Sequence, residues 1–257
     1  VGVREPIQRR RGVYILPNLL TTGNLFSGFY AIVSVMSANY VRAAVAIFIA
    51  VVFDMLDGQI ARLTRTTSRF GLEYDSLADL ISFGMAPGLL IYMWALNGYG
   101  RLGWVAAFLF VACGALRLAR YNVQAAGGDG RYFTGLPIPA AAGLIAATVL
   151  LDDYILRLGK ELRPIIMLLM TYLLAFLMVS RVRYRAFKSI HLPQRRPFEL
   201  LVGSVLTLIM FVLAPQVMLF AVFALYAFSG LVELPLRLLT RKIRRMPLTE
   251  SGEHRAR

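Results

Sequence analysis

Asp54-Met55-Leu56-Asp57-Gly58-Gln59-Ile60-Ala61-Arg62 is followed, after eight residues, by Gly71-Leu72-Glu73-Tyr74-Asp75-Ser76-Leu77-Ala78-Asp79. This stretch sets four aspartates into an otherwise apolar chain that has only 14 acidic residues. A carboxylate at the centre of a membrane helix costs about 2.5–3.5 kcal/mol on insertion scales. Such a cluster is tolerated where a divalent cation cancels its charge.

The flanking sequence shows why a bilayer is the expected surrounding. The 257 residues are 58% hydrophobic with a mean hydropathy of +0.64, which soluble domains rarely reach. A membrane crossing takes about 20 mainly apolar residues. Eight stretches meet that length, at roughly 17–38, 42–62, 71–96, 102–122, 137–155, 163–181, 198–214 and 216–238. The fold class expected is therefore all-α integral membrane, a polytopic helical bundle of about eight transmembrane helices. No cleavable signal peptide is expected, because the first apolar segment is long and has no evident cleavage site. Three regions are expected: a basic cytoplasmic arm at 1–12, a transmembrane catalytic domain at 13–245, and a polar, disordered tail at 246–257. Cys113 is the single cysteine, which excludes an intrachain disulfide.

The net charge of +14 follows from topology rather than from nucleic-acid binding. With eight spans both termini share one side, and 23 of the 28 Lys and Arg fall there. That asymmetry makes the side cytoplasmic. Clusters such as Arg181-Val182-Arg183-Tyr184-Arg185 and Arg241-Lys242-Ile243-Arg244-Arg245 would face anionic headgroups of membrane lipids. The cell inner membrane is the expected location, with the active site on the cytoplasmic side.

At about 100° per residue, Asp54, Asp57, Gly58, Ala61 and Arg62 share one face of the second helix. Gly71, Asp75, Asp79, Ser82 and Ala86 form a polar, small-residue stripe on the third. A short cytoplasmic turn makes the two helices antiparallel neighbours, so their carboxylates can converge in the cytoplasmic half of the membrane. Three or four carboxylates so placed suit two divalent ions and phosphoryl displacement. Gly58, Ala61 and Gly71 read either as room for a nucleotide against the backbone or as close helix packing. Arg62 reads either as a phosphate contact or as a snorkelling interfacial arginine.

The same run, Asp54-x2-Asp57-Gly58-x2-Ala61-Arg62-x8-Gly71-x3-Asp75-x3-Asp79, resembles the signature of the CDP-alcohol phosphatidyltransferase family at every fixed position. The resemblance implies a membrane enzyme with a six-helix core, here extended by two C-terminal helices, that usually forms a homodimer. It implies transfer of a phosphatidyl group from a CDP-linked lipid to an alcohol, with release of CMP. Asp54, Asp57, Asp75 and Asp79 would form the metal cluster, and Asp79 would also be the catalytic base. Gly58, Ala61, Arg62 and Gly71 would border the nucleotide and diphosphate. The cofactors implied are divalent cations, Mg2+ or Mn2+, two per active site.

Other segments are similar to the bacterial and archaeal members of the family that act on serine. These are Leu16-Pro17-Asn18-Leu19-Leu20-Thr21-Thr22-Gly23-Asn24-Leu25-Phe26-Ser27-Gly28, Ser76 to Pro87, Ala115 to Asn122, and Phe133-x-Gly135-Leu136-Pro137-x-Pro139. The implied reaction converts CDP-diacylglycerol and L-serine to phosphatidylserine and CMP. Candidates for holding serine are Arg117, Arg120, Asn122, Asn24 and Ser27. The two arginines, at i and i+3, read either as a carboxylate fork or as headgroup arginines. Asn24, Ser27 and Gly28 form a polar notch that also suits helix–helix hydrogen bonding. Glu73 points off the stripe, and His191 and His254 lie in basic segments, so all three are expected to be solvated. The alternative acceptors are glycerol 3-phosphate or inositol phosphate, which would want a denser basic pocket. A divalent-cation transporter is the remote alternative, since a cation path has no need of the fixed glycines, Ala61 and Arg62.

Overall fold

The computed structural model describes residues 15–64, 68–126, 133–159, 161–180, 182–184 and 197–244. The expected arm, the tail, most of the Gln124–Thr134 connector, His191 and His254 lie outside the described residues or at their margin. Helices dominate because a bilayer core offers backbone groups no water, so each must be satisfied within its own segment. The first two helices, α1 (Ile15–Met36) and α2 (Tyr40–Leu63), form a tight antiparallel pair. Their turn is closed by Ala38 in the left-handed region at φ 57°, with Asn39 N–H donating to Ser34 O at 2.9 Å. Ala31 of α1 and Ala43, Ala44, Ala46 and Ala50 of α2 are buried, and such small side chains let helices approach closely.

Helix α3 (Arg69–Asp79) starts where the Ser68 side chain accepts the Gly71 N–H, satisfying one of the free donors of a helix N-terminus. It continues through a π-helical turn (Leu80–Met85), α4 (Ala86–Ile91) and a second π-helical turn (Tyr92–Leu96). The near-continuous helical stretch Arg69–Gln124 is 56 residues long, too long for one crossing at 1.5 Å per residue. It folds back at a 3-10 turn (Asn97–Tyr99) and Gly100, whose φ is 53°. Helix α5 (Gly100–Ala126) then returns along α4, with Gly88 packed against Val111 and Ala107.

Helix α6 (Ile138–Leu151) is the axis of the bundle; every residue but Pro139 is buried. It is apolar all round, as a fully enclosed helix must be. Helix α7 (Leu162–Val179) packs on α5. At the end of the bundle away from the aspartates, buried Asp152 accepts from Arg163 Nη2 at 2.8 Å and from Leu158 N–H at 2.7 Å. Arg163 also lies 5.0 Å over the Trp94 ring.

Helices α8 (Pro197–Leu213) and α9 (Pro215–Arg244) are the last of the described elements. Six of the eight expected spans correspond to α1, α2, α3 through Leu96, α5, α6 with its π-helical extension, and α7. The last two expected spans fall on α8 and α9, which reach membrane-crossing length and apolarity only together, as one pair bent by 119° at Ala214, a broken span or re-entrant loop rather than the two crossings expected. Helix α9 covers α6: the Phe223 ring fills the space above Gly143 and lies 5.8 Å from the Phe48 ring. It then reaches the aspartate end, where Tyr184 Oη donates to Ala227 O at 3.0 Å. Two-residue strands β1 (Phe133–Thr134) and β2 (Arg183–Tyr184) pair antiparallel there, tying the connector after α5 to the chain after α7. Large apolar side chains such as Phe26, Phe29, Phe108 and Phe176 point outward, as they do where lipid is the solvent.

Candidate active site and metal centre

Asp54, Asp57, Asp75 and Asp79 gather at one end of the bundle, with Thr21 and Asn24 of α1 beside them. The last turns of α2 carry Asp54 and Asp57, and the middle of α3 carries Asp75. One carboxylate oxygen from each lies within 4.8 Å of the others. Asp57 is buried, and its Oδ2 accepts from Thr21 Oγ1 on α1 at 2.9 Å. An Asp75 oxygen, Oδ1, is buried with no hydrogen-bond partner among the described residues. Three carboxylates this close repel one another and are costly out of water. A hard divalent cation resolves both problems, and three oxygen donors are the ligand type Mg2+ and Mn2+ prefer. The residues present therefore fit a metal.

Asp79 stands one turn beyond Asp75 and outside that group of three. It is buried, and its Oδ1 accepts from Asn24 Nδ2 at 3.0 Å. Asn24 is itself held: Ser82 Oγ, on the π-helical turn, donates to its backbone carbonyl at 2.9 Å. Gly28 makes this approach possible, because a Cβ there would stand 2.6 Å from Ser82 Cα. The π-helical turn and Gly28 thus bring α1 against α3 at the height where Asn24 meets Asp79. The other Asn24 atom, Oδ1, is buried without a partner among the described residues.

The small residues expected to border a nucleotide sit around the carboxylates. Gly58 O accepts from Arg62 Nε at 2.8 Å, and Arg62 is otherwise exposed. Gly71 lies against Ser68 Oγ and Asn18 Oδ1. Ala61 is half-buried on the same turn as Asp57 and Gly58. Glu73 is exposed, as expected of a solvated acid.

The serine candidates divide. Arg117, on α5, is 7% exposed, and its Nε has no hydrogen-bond partner among the described residues. Tyr226, Asp79, Tyr121 and Arg120 lie near enough to act on its charge electrostatically. Arg120 instead donates to Val179 O at 2.8 Å, tying α5 to the end of α7. Asn122 Nδ2 donates to Ser76 Oγ at 3.0 Å, and Ser27 Oγ donates within its own helix to Gly23 O. Of the five candidates, Asn24 and Arg117 are the two whose surroundings include Asp79.

Several contributors are not singled out by the sequence. Thr21 lies three residues before Asn24 on the same helical face, which is the signal that could have found it. Tyr74 hydrogen-bonds Thr22 at 2.9 Å. Tyr226 and Tyr184 come from the C-terminal part, where no motif marks them; their rings lie 5.6 Å apart. Burial first, then neighbouring Tyr226, pushes the Tyr184 phenol up to about 12, so it remains a protonated donor to Ala227.

A family model described as CDP-alcohol phosphatidyltransferase matches residues 14–179. The chain belongs to that family of membrane enzymes. Among its relatives, the chain is 42% identical over 178 residues to the CDP-diacylglycerol–serine O-phosphatidyltransferase of Helicobacter pylori, covering 69% of this chain and 75% of that protein. It is 34% identical over 174 residues to the enzyme of the same name from Bacillus subtilis, covering 68% and 92%. It is 42% identical over 141 residues to archaetidylserine synthase of Methanothermobacter thermautotrophicus, covering 54% and 59%.

Proposed function

We propose that this chain transfers the phosphatidyl group of CDP-diacylglycerol to the hydroxyl of L-serine, giving phosphatidylserine and CMP. The observation that carries the reading is the convergence of Asp54, Asp57 and Asp75 within 4.8 Å, next to an Asp79 fixed by Asn24 at 3.0 Å. The names of the relatives supply the acceptor. Divalent ions held by Asp54, Asp57 and Asp75, two per site with Asp79 closing the cluster, would neutralise the diphosphate and stabilise the departing CMP phosphate.

The chain's own residues do the rest. Gly58, Ala61 and Gly71 leave room for the nucleotide against the backbone, and Arg62 meets the diphosphate. A serine hydroxyl is a weak nucleophile at neutral pH and needs a positioned base. Asp79 accepts its proton as the new P–O bond forms and the bond to CMP breaks. Asn24 orients that carboxylate. Arg117 holds the serine carboxylate, and the Asn24 Oδ1 acceptor suits the ammonium.

The protein sits in the cell inner membrane, with the aspartate end and both termini cytoplasmic, as the 23 basic residues on that side favour. It works as a homodimer, as the family resemblance implies. Purified protein in nanodiscs should release CMP from CDP-diacylglycerol only when both serine and Mg2+ or Mn2+ are supplied. Release that needs glycerol 3-phosphate or inositol phosphate instead overturns the acceptor; metal transport without CMP release overturns the enzyme.

A further inference from the structure

Asn24 is a polar side chain with 0% exposure, and helix packing accounts for only half of its amide. Its Nδ2 donates to Asp79 Oδ1 at 3.0 Å, which joins α1 to α3. Its Oδ1 is buried and has no hydrogen-bond partner among the described residues. A primary amide offers two donors and an acceptor oxygen, and a buried acceptor left open is costly. Three nearby hydroxyls are spent elsewhere. Thr21, one turn before Asn24, donates to Asp57 Oδ2 at 2.9 Å, and Ser27, one turn after it, donates to Gly23 O at 2.9 Å. Ser82 Oγ donates to the Asn24 backbone carbonyl at 2.9 Å rather than to its side chain.

The place of this amide is set by a close approach of backbone. Ser82 is fully buried on the π-helical turn Leu80–Met85. Gly28, one turn beyond Asn24 on α1, faces it, and a Cβ there would stand 2.6 Å from Ser82 Cα. A side chain at 28 would push the two segments apart, and with them Asn24 from Asp79. A polar contact kept only for helix packing would spend both ends of the amide on protein groups. Here the nitrogen holds the carboxylate and the oxygen beside it stays open.

Resting on the serine-transfer reading above, we propose that the Gly28–Ser82 junction is a positioning device for acceptor choice. It sets Asn24 as a bridge whose Nδ2 orients the Asp79 carboxylate and whose Oδ1 receives the acceptor's ammonium. Amine and hydroxyl sit on adjacent carbons of serine. An ammonium on Oδ1 therefore brings the hydroxyl to the carboxylate that the same amide holds. Selectivity for an amino acceptor over a plain hydroxy acid then resides where α1 meets the π-helical turn.

The test follows CMP release and lipid product with the full chain in nanodiscs, supplied with L-serine or with 3-hydroxypropionate, which is serine without its amine. Wild type should favour serine by about 10–100-fold in kcat/KM, the usual effect of a hydrogen bond to a charged group. Asn24→Ala should bring that ratio toward unity. Ser82→Ala leaves Asn24 and Asp79 in place; it should narrow the ratio part of the way, with the KM for CDP-diacylglycerol at its wild-type value. Should Asn24→Ala be inactive with both acceptors, calorimetry takes the place of the rate: equal affinity for the two acids supports the bridge, and a retained preference for serine overturns it. A wild-type ratio in Asn24→Ala, or a wild type that uses both acids equally, overturns the ammonium contact. An unchanged ratio in Ser82→Ala makes the junction a packing contact and overturns its part in acceptor choice. Wild-type protein that ignores serine overturns the serine-transfer reading instead.

Discussion

Replacing Thr21 by valine removes one hydroxyl and little else. That hydroxyl donates to Asp57 Oδ2 at 2.9 Å and also approaches Pro17 O at 3.1 Å. Thr21 is 4% exposed, so no water replaces the lost donor. A hydrogen bond to a charged group contributes about 1.5–3 kcal/mol, and groups that orient metal ligands typically change affinity or activity by about 10–100-fold. One proton shared between two acceptors puts Thr21 at the lower end, so Thr21→Val should weaken half-saturation by Mn2+ about tenfold. Thr21→Ser retains the hydroxyl and should remain near wild type. The assay is CMP release in nanodiscs across a Mn2+ titration at saturating serine, with metal affinity measured in parallel by calorimetry. Wild-type Mn2+ dependence in Thr21→Val would refute the reasoning that α1 orients Asp57 for the metal.

Asp54→Ala, Asp57→Ala and Asp75→Ala should each abolish transfer and weaken divalent binding; full activity of any one in chelator-treated membranes would remove that residue from the centre. Asp79→Asn should lower kcat by about 10²–10⁴ while leaving metal and CDP-diacylglycerol binding largely intact, whereas parallel loss of nucleotide-lipid binding would make Asp79 chiefly a ligand. Arg117→Lys should raise the serine KM because the planar fork is lost, and Arg120→Lys should not, since Arg120 is committed to Val179 O; the reverse pattern would exchange their roles. At the far end, Arg163→Met strips buried Asp152 of its ion pair and should destabilise the fold by about 3 kcal/mol or less, given Arg163's partial exposure. Thermal unfolding in detergent reads that loss.

Much of this molecule is written in local sequence. Asp54, Asp57, Asp75 and Asp79 repeat at helical spacing on two adjacent segments, and the facing of antiparallel neighbours is enough to expect their convergence. That Asp79 stands one turn beyond Asp75 follows from the stripe itself; what was not legible is Asn24 arriving from α1 at 3.0 Å to hold it. That approach requires a π-helical turn at Leu80–Met85 and a missing side chain at Gly28, and the π register is imposed by packing, not by propensity. The polar notch at Asn24 and Ser27 was visible, but its two members part ways: Asn24 reaches across to Asp79, while Ser27 bonds back to Gly23 O. Arg117 and Arg120 are indistinguishable by spacing; the carbonyl at the end of α7 separates them. Tyr226 lies in a helix of generic apolar sequence, where rotation about the axis is set by distant contacts such as Phe223 on Gly143, and Tyr184 lies in a basic run whose charges draw attention away from it.

The most direct test offers the purified protein CDP-diacylglycerol and Mn2+ together with equal amounts of serine, glycerol 3-phosphate and inositol phosphate, and identifies the lipid product by mass spectrometry. Phosphatidylserine should form almost alone, one molecule per CMP released, and none should form after chelation. A phosphatidylglycerol phosphate or phosphatidylinositol phosphate product, or transfer that persists in chelator, would contradict an aspartate-held metal centre built for serine.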